Sequence, residues 1–554
     1  MKPLKILFIC LVFGIGQATV SLAEEVHINA SDLGSLLNFG VSVAVSEDTI
    51  IAGGTTNRGT TGRVYIFERD KKKDWVEVAI FNTEDNASSD WFGAAVAIDG
   101  DTAVVGAWED GGKGKDQGAG IGEGPGFVYI FTRKEKEWGK QEKFKGNDSK
   151  AKDRFGNSVS ISGDLLVVGA PFHDGSAEDA GAAYIFERKN NLWKQAAKLI
   201  HGDPEVGDRF GWDVAIDKDV VIVGSPFDDD AGSKSGSAYI FVRNPDGSWT
   251  EQIKLKSSDL DKGDQLGNTV DITQLSLVAY AIVGAHFDDD GGDKSGAAYI
   301  FIRDQAGTWA EQKKLTASDA EKRDQFGIDV AIDVNRALVG ANLDDGARFA
   351  NRGAAYAFLR VGSDWIEQKK LSPKPVGNEE NPDLNLKALN GEGADQFGYA
   401  VALDRGRDFA VVSARYDDIE KVPDTGSVYI YSTREDLGIG LAVEPSPVLA
   451  TTTLGQIKRS ALLQNFPNPF NPETWMPYVL ATDVPVTIDI YDVNGQLVRQ
   501  LHLGMQLPGS YLSRKDAAYW DGKDQVGHTV SSGLYFYTLN AGSFRATRRM
   551  VILK

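Results

Sequence analysis

The sequence predicts an all-β chain: a seven-bladed β-propeller closed by a strand from its N-terminus, followed by a small immunoglobulin-like β-sandwich. Three observations lead there. A Phe-Gly phrase followed by alternating apolar residues recurs seven times, beginning at Phe39, Phe92, Phe155, Phe210, Leu266, Phe326 and Phe397. Six of the units hold four short, aromatic-rich strand patterns separated by glycine and aspartate turns, the make-up of a propeller blade. The seventh lacks its fourth pattern, and a matching segment stands near the N-terminus.

In each unit the first strand follows the Phe-Gly pair with period-two patterning, which excludes a helical solenoid. The second ends in a small-residue pair, as in "VVGAP" (167–171), "IVGSP" (222–226) and "IVGAH" (282–286). The third reads "GAAYIF" (181–186) or "GSAYIF" (236–241), and the fourth opens on tryptophan, as in "SWTEQIKL" (248–255) and "TWAEQKKL" (308–315). Unit seven stops after "GSVYIYSTRED" (426–436), whereas "EEVHINASD" (24–32) matches "KKLTASD" (313–319). Val26 to Ala30 is therefore expected to pair into the last blade and close the ring, removing edges that invite aggregation.

With 554 residues, 42% hydrophobic and 25% charged, the chain has the composition of a soluble globular protein with room for a repeat array and a further module. The net charge of −20 argues against nucleic acid and anionic lipid as partners. Cations and basic protein surfaces stay open. "MKPLK", an apolar run and "SLA" ending at Ala23 read as a secretory signal over residues 1–23. The run is too short for a comfortable span, and no span is expected in the mature chain. The single cysteine, Cys10, falls within the signal, so disulfides are not expected to stabilise the exported protein.

"DRFGNSVSISGDLLVVGAP" (153–171) resembles the FG-GAP repeat of bacterial surface proteins and of the integrin α-subunit head. The seven phased copies extend the resemblance over residues 24–434. It implies a propeller used for extracellular recognition, with a protein or glycan as partner. Many members carry a calcium loop between the Phe-Gly and Gly-Ala-Pro phrases. Here that segment shrinks to "DKD" (217–219) or to the turn pair Gly163-Asp164, so those metal sites do not carry over.

Acidic loops lie instead between the second and third strands. Asp228 and Asp230, and likewise Asp288 and Asp290 with Asp293, are the candidate Ca2+ ligands, since alternating carboxylates converge where adjacent ones point apart. Capping of backbone amides at the strand ends is the preferred reading of the same residues. Asp344-Asp345, Asp417-Asp418 and His173-Asp174 are related loops. No other cofactor is expected. A second recurring aspartate, at Asp90, Asp153, Asp208, Asp264, Asp324 and Asp395, is expected to accept backbone amides as the chain enters each blade.

Strand alternation puts the acidic loops and the blade-to-blade connectors on one face. Two long irregular loops, 108–126 and 372–396, break the pattern there and are candidate recognition elements. No zinc motif, nucleophile elbow or phosphate loop occurs, so no enzyme is expected; a secreted carbohydrate-active hydrolase or lyase using the propeller face is the alternative.

Residues 435–460 read as a linker, and 461–554 as a second module. Within it Asn494-Gly495 between alternating strands predicts a hairpin. "QNFPNPFNP" (464–472), "YDVNGQLV" (491–498), "WDG" (520–522) and "SGLYFY" (532–537) resemble, in order, the C-terminal sorting domains of the type IX (Por) secretion system. The resemblance implies contact with export machinery and delivery to the cell surface or medium. Arg545, Arg548 and Arg549 near the end are read as a solvated strand end.

Overall fold

The structure is a computed structural model. It describes residues 26–32, 38–55, 62–71, 74–83, 90–111, 124–275, 278–304, 306–345, 352–361, 363–372, 395–405, 409–418 and 424–432. Towards the C-terminus it describes 461–462, 465, 473–480, 484–493, 495–506, 509–511, 517–525, 527–542 and 544–552. The signal read over 1–23, the linker over 435–460 and most of the two long loops (112–123 and 373–394) lie outside the described residues.

Seven four-stranded antiparallel sheets follow one another along the chain. Strand β1 (Val26–Ile28) precedes blade 1, which is β2 (Phe39–Ser46), β3 (Thr49–Gly54), β4 (Arg63–Arg69) and β5 (Trp75–Phe81). Blade 2 is β6 (Phe92–Asp99), β7 (Thr102–Ala107), β8 (Phe127–Lys134) and β9 (Glu137–Phe144); blade 3 is β10 (Val159–Ser162), β11 (Leu165–Ala170), β12 (Ala182–Lys189) and β13 (Leu192–Leu199). Blade 4 is β14 (Val214–Asp217), β15 (Val220–Ser225), β16 (Ser237–Arg243) and β17 (Trp249–Leu255). Blade 5 is β18 (Thr269–Leu275), β19 (Val278–Ala285), β20 (Ala297–Arg303) and β21 (Trp309–Leu315). Blade 6 is β22 (Phe326–Asp333), β23 (Arg336–Ala341), β24 (Ala354–Val361) and β25 (Asp364–Leu371). Blade 7 holds β26 (Phe397–Leu403), β27 (Phe409–Ala414) and β28 (Ser427–Ser432), and β1 completes it, with Val26 opposite Ile430 and Ile28 opposite Val428. The expected closure is present.

The Phe-Gly and Gly-Ala phrases are two halves of one joint between blades. Phe210 is fully buried and its amide donates to the Ala180 carbonyl of blade 3, while Gly211 turns the backbone at φ +90°. The Gly211 carbonyl then lies against Gly169 of blade 3, where an added Cβ would sit 2.1 Å from that oxygen. Gly224 meets Gly267 in the same way, at 2.0 Å. Only glycine allows backbones this close, which is why the pair recurs in nearly every unit. Each blade then buries its second and third strands against the next, as in the shared core of Val221, Val223, Tyr239 and Phe210 with Ile185 and Val167.

The strands of the C-terminal region are β29 (Ala461–Leu462), β30 (Thr474–Met476), β31 (Tyr478–Leu480), β32 (Val484–Tyr491), β33 (Leu497–Gln506), β34 (Gly509–Tyr511), β35 (Ala518–Trp520), β36 (Gly533–Ala541) and β37 (Phe544–Ile552). A sheet ordered β33-β32-β36-β37 faces shorter pieces, β29-β31-β34 and β30-β35, over a core containing Trp520, Tyr537, Met476 and Ile488. The "WDG" tryptophan is thus a core residue whose indole N–H finds the Lys523 carbonyl at 2.8 Å. Gly495 sits in the β32–β33 turn with φ +77°, as the hairpin reading expects; Asn494 lies outside the described residues.

Candidate functional site at the mouth of the channel

The acidic loops are built first by a lysine. In blade 4 the Lys254 ammonium, carried on β17, lies 2.6 Å from Asp228, 2.7 Å from Asp230 and 2.9 Å from Asp203 of the incoming connector. Tyr239 on β16 donates to Asp228 at 2.8 Å and to Asp203 at 3.0 Å. Blade 5 repeats the arrangement with Lys314, Asp288, Asp290, Asp259 and Tyr299, and blade 6 with Lys370, Asp344, Asp319 and Tyr356. In blade 3, His173 replaces the loop aspartate, with Nδ1 2.7 Å from Asp153 and Nε2 2.6 Å from Lys198.

So Asp228 with Asp230, and Asp288 with Asp290, do converge, and an ammonium stands where they meet. Asp293 is apart from them, paired at the surface with Lys322 at 2.9 Å. Among the described residues no group of three or more metal-ligating side chains is arranged around an open ion position. Burial opposes the charge on Lys254, yet its hydrogen bonds to the three aspartates outweigh that and raise its pKa. Burial likewise works against Asp259, but Ser257, Lys314 and Tyr299 hold its carboxyl at about 2. The lysine and tyrosine partners were missed in the sequence, although "YIF" and "KL" repeat in step with the aspartates.

The second recurring aspartate accepts amides as expected: Asp208 from Glu205, Asp264 from Asp261 and Asp324 from Glu321, each at 2.7 Å. Burial dominates the ionisation of these side chains. It raises Asp264 and Asp324 to about 6 and Asp395 to about 7, with the neighbouring loop aspartates Asp288, Asp344 and Asp417 adding to the shift.

The first strands of all seven blades enclose an axial channel of about 760 Å³. Their inward edges have no strand partner, so their amides need other acceptors. Polar side chains at alternate positions supply them from blade to blade. Ser160 accepts from the Ile216 amide at 3.2 Å, Asp213 from Val270 at 2.8 Å, Asp271 from Ile332 at 2.8 Å and Asp329 from Val401 at 2.7 Å. Arg405 closes part of the lumen, bound to Asp271 at 2.6 Å and to the Ile272 carbonyl at 2.7 Å. Burial raises Asp213 to about 6 and Asp329 to about 7, against the pull of their amide donors.

These groups set a pH dependence. A buried aspartate whose folded pKa exceeds the unfolded value near 4 holds its proton longer in the native state, so stability falls as pH rises through that window. Asp213, Asp264, Asp324, Asp329 and Asp395 place the fall between about 4 and 7, whereas Asp259 gains stability only from about 2 to 4. The melting temperature should therefore be higher by several degrees at pH 5 than at pH 8. A flat or rising profile over that range, measured by calorimetry, contradicts the assignment.

At the mouth of the channel the residue before each Phe-Gly pair sits in a left-handed conformation: Asn38, Trp91, Arg154, Arg209, Gln265, Gln325 and Gln396, with φ from 44° to 57°. That geometry turns the side chain out beside the first aromatic residue after a Gly-Ala or Gly-Ser phrase. A ladder results across blades 2 to 4. Trp91 stacks on Trp108 at 5.0 Å, and the Arg154 guanidinium lies 4.3 Å from both Trp108 and Phe172. Arg209 follows, 4.6 Å from Phe172 and 4.4 Å from Phe227, with Trp212 at the channel lip. Neither guanidinium has a hydrogen-bond or ion-pair partner among the described residues, and Arg209 Nε is buried without one. Burial lowers the pKa of Arg154, with Glu109 opposing and Arg209 reinforcing. The ladder was not foreseen, because the position varies from unit to unit and reads as a turn.

Among the described residues no helix is long and apolar enough to cross a membrane. A family model described as FG-GAP repeat matches residues 22–67, 75–120, 138–186, 193–241, 249–301, 309–358 and 384–431. Five of the seven matches span one blade's fourth strand and the next blade's first three; 75–120 stops before β8 and 384–431 begins after β25, and the first match opens on the segment holding β1. No curated protein matches the chain. Among solved structures, PorZ, an essential bacterial surface component of the type-IX secretion system of Porphyromonas gingivalis, is similar with a TM-score of 0.40 at 12% identity. The match covers 95% of this chain, which spans 61% of the PorZ chain. With seven phased matches that include most of its length, the chain belongs to the FG-GAP repeat family.

Proposed function

We propose that this protein is an exported recognition module that binds a protein or glycan through the mouth of its channel and is delivered to the cell surface or medium by residues 461–554. One observation carries the binding site. In the loops of blades 3 to 6 the lysine ammonium is matched by carboxylates, whereas Arg154 and Arg209 are held by aromatic rings with their N–H edges unengaged. Rigid, partly buried cations on a fixed scaffold are suited to recognition. The sorting role rests on the resemblance of the four C-terminal phrases.

A second reading has its own observation. Asp213 and Asp329 line the channel and titrate near neutrality, as acid–base groups of a glycoside hydrolase or lyase would. Recognition is preferred because both already serve as acceptors: Asp213 for the Val214 and Val270 amides, Asp329 for Val401 and the Thr269 hydroxyl. Purified protein should bind immobilised surface or matrix material without creating new reducing or unsaturated ends, and removal of 461–554 should abolish export in a type IX host while sparing binding. New chain ends would replace this reading with the enzyme. Binding that vanishes with 461–554 would overturn the assignment to the propeller.

A further inference from the structure

We infer that the Trp91–Trp108–Arg154–Phe172–Arg209–Phe227 ladder reads an acidic polysaccharide, taking sugar rings that carry a carboxylate or sulfate. This inference rests on the recognition reading above and names the ligand chemistry of that site.

The ladder offers two kinds of surface at once. Its rings and guanidiniums alternate: Trp108 and Phe172 lie on either hand of Arg154, and Phe172 and Phe227 of Arg209, each 4.3–4.6 Å from the guanidinium carbon. Ring contact on two sides holds both guanidiniums in place. Their edges, which carry the N–H donors, remain to engage an acidic group, and two parallel N–H bonds to one carboxylate or sulfate suit that geometry. The stacked Trp91 and Trp108 indoles are partly exposed and add an aromatic surface at one end. The C–H face of a pyranose is apolar and packs on such a surface as any flat apolar body does. A ligand that combines a ring with an acidic substituent uses both features.

An acidic peptide is the weaker match. Its carboxylates ride on flexible stems, so each contact costs side-chain entropy that a ring-borne acid has already lost. The chain's own net charge of −20 repels any polyanion at long range, but the screening length of about 8 Å at physiological salt leaves the local cations to decide. Glu109 and Asp179 are the acidic neighbours of Arg154; burial raises the pKa of Glu109 while Arg154 and Trp91 pull it down. They weaken the field at Arg154 without hydrogen-bonding its guanidinium edge.

The test uses the double variant Arg154→Gln/Arg209→Gln. Glutamine already fills the same left-handed position in blades 5, 6 and 7, as Gln265, Gln325 and Gln396, so the fold accepts it. Binding of the full chain is measured against alginate and polygalacturonate (carboxylate), dextran sulfate (sulfate), neutral dextran and polyglutamate. The expected result is binding to alginate, polygalacturonate or dextran sulfate that falls at least tenfold in the double variant and weakens with salt, with the melting temperature unchanged. Loss to the carboxylated polymers alone, or to dextran sulfate alone, identifies the acidic group. Unchanged binding in the double variant overturns the inference, as does binding to polyglutamate or neutral dextran in place of the acidic sugars; those outcomes leave the recognition reading standing. No binding to these polymers, alongside retained binding to surface or matrix material, sinks the inference alone. No binding to either sinks both.

Discussion

Deleting residues 26–32 should make the propeller aggregate, and a synthetic peptide of that sequence should restore it. The segment is short, but three things depend on it. Strand β1 pairs with β28 along Val26, His27 and Ile28 and covers what would otherwise be an open edge of blade 7. Ile28 and Ala30 are buried in one core with Phe39, Ile50 and Tyr65 of blade 1 and Val428 and Ile430 of blade 7, so they join the two ends of the ring. Asp32 then pairs with Arg63 and accepts from Tyr65 at 2.8 Å, while the Ser31 amide and hydroxyl bind Glu77 at 3.0 Å and 2.6 Å. Without the segment, blades 1 and 7 keep the Phe39 to Thr425 backbone bond and side-chain packing such as Trp75 against Phe409 at 5.6 Å, but lose the residues that seal their shared core. The expected fall in melting temperature exceeds 10 °C, since two core side chains, a strand and several polar contacts go together. Gel filtration and calorimetry report it, and rescue by the added peptide separates a lost strand from general damage. A deletion variant that elutes as the parent does, with an unchanged transition, means that the ring is held by other contacts.

Why this closure was legible and the ladder was not is a matter of periodicity. Strand order, closure and the role of Asp208, Asp264 and Asp324 follow from features that every blade must repeat: a buried aromatic, a glycine pressed against a neighbouring carbonyl, an amide needing an acceptor. Seven copies supply the register by internal comparison. The lysine that meets the acidic loop in blades 3 to 6 belongs to the same repeat, yet its meeting with the aspartates is a matter of three dimensions, since Lys254 stands 24 residues beyond Asp230. The channel wiring hid in the opposite way. Asp213, Asp271 and Asp329 occupy alternate sites of strands that read as apolar, and only the ring shows that their neighbours' amides lack partners. The ladder lies where the repeat stops constraining the side chain. The left-handed backbone is common to all seven blades, but asparagine, tryptophan, arginine and glutamine share the position.

Replacing Lys254 by methionine should turn a built-in ion pair into a cation site, and this distinguishes a lysine-centred loop from a calcium loop. In the native chain the ammonium serves Asp203, Asp228 and Asp230 together, and the Asp228 side chain is only 4% exposed. Removing one partner of a buried pair leaves charge without compensation and costs about 3 kcal/mol or more. Lys256, 42% exposed and in contact with Asp230 alone, is the control, and its loss should cost under about 1 kcal/mol. Neither millimolar calcium nor chelator should move the melting temperature of the unmodified propeller, because the ammonium already occupies the point where the carboxylates meet. In Lys254→Met, calcium should recover part of the loss, up to about 2.7 kcal/mol where its concentration reaches a hundred times its dissociation constant. A chelator-induced fall in the unmodified chain would show that Asp228 and Asp230, or Asp288 and Asp290, hold metal in spite of their lysines. A variant destabilised but indifferent to calcium would show that three carboxylates on this framework do not provide the six to eight oxygens calcium requires.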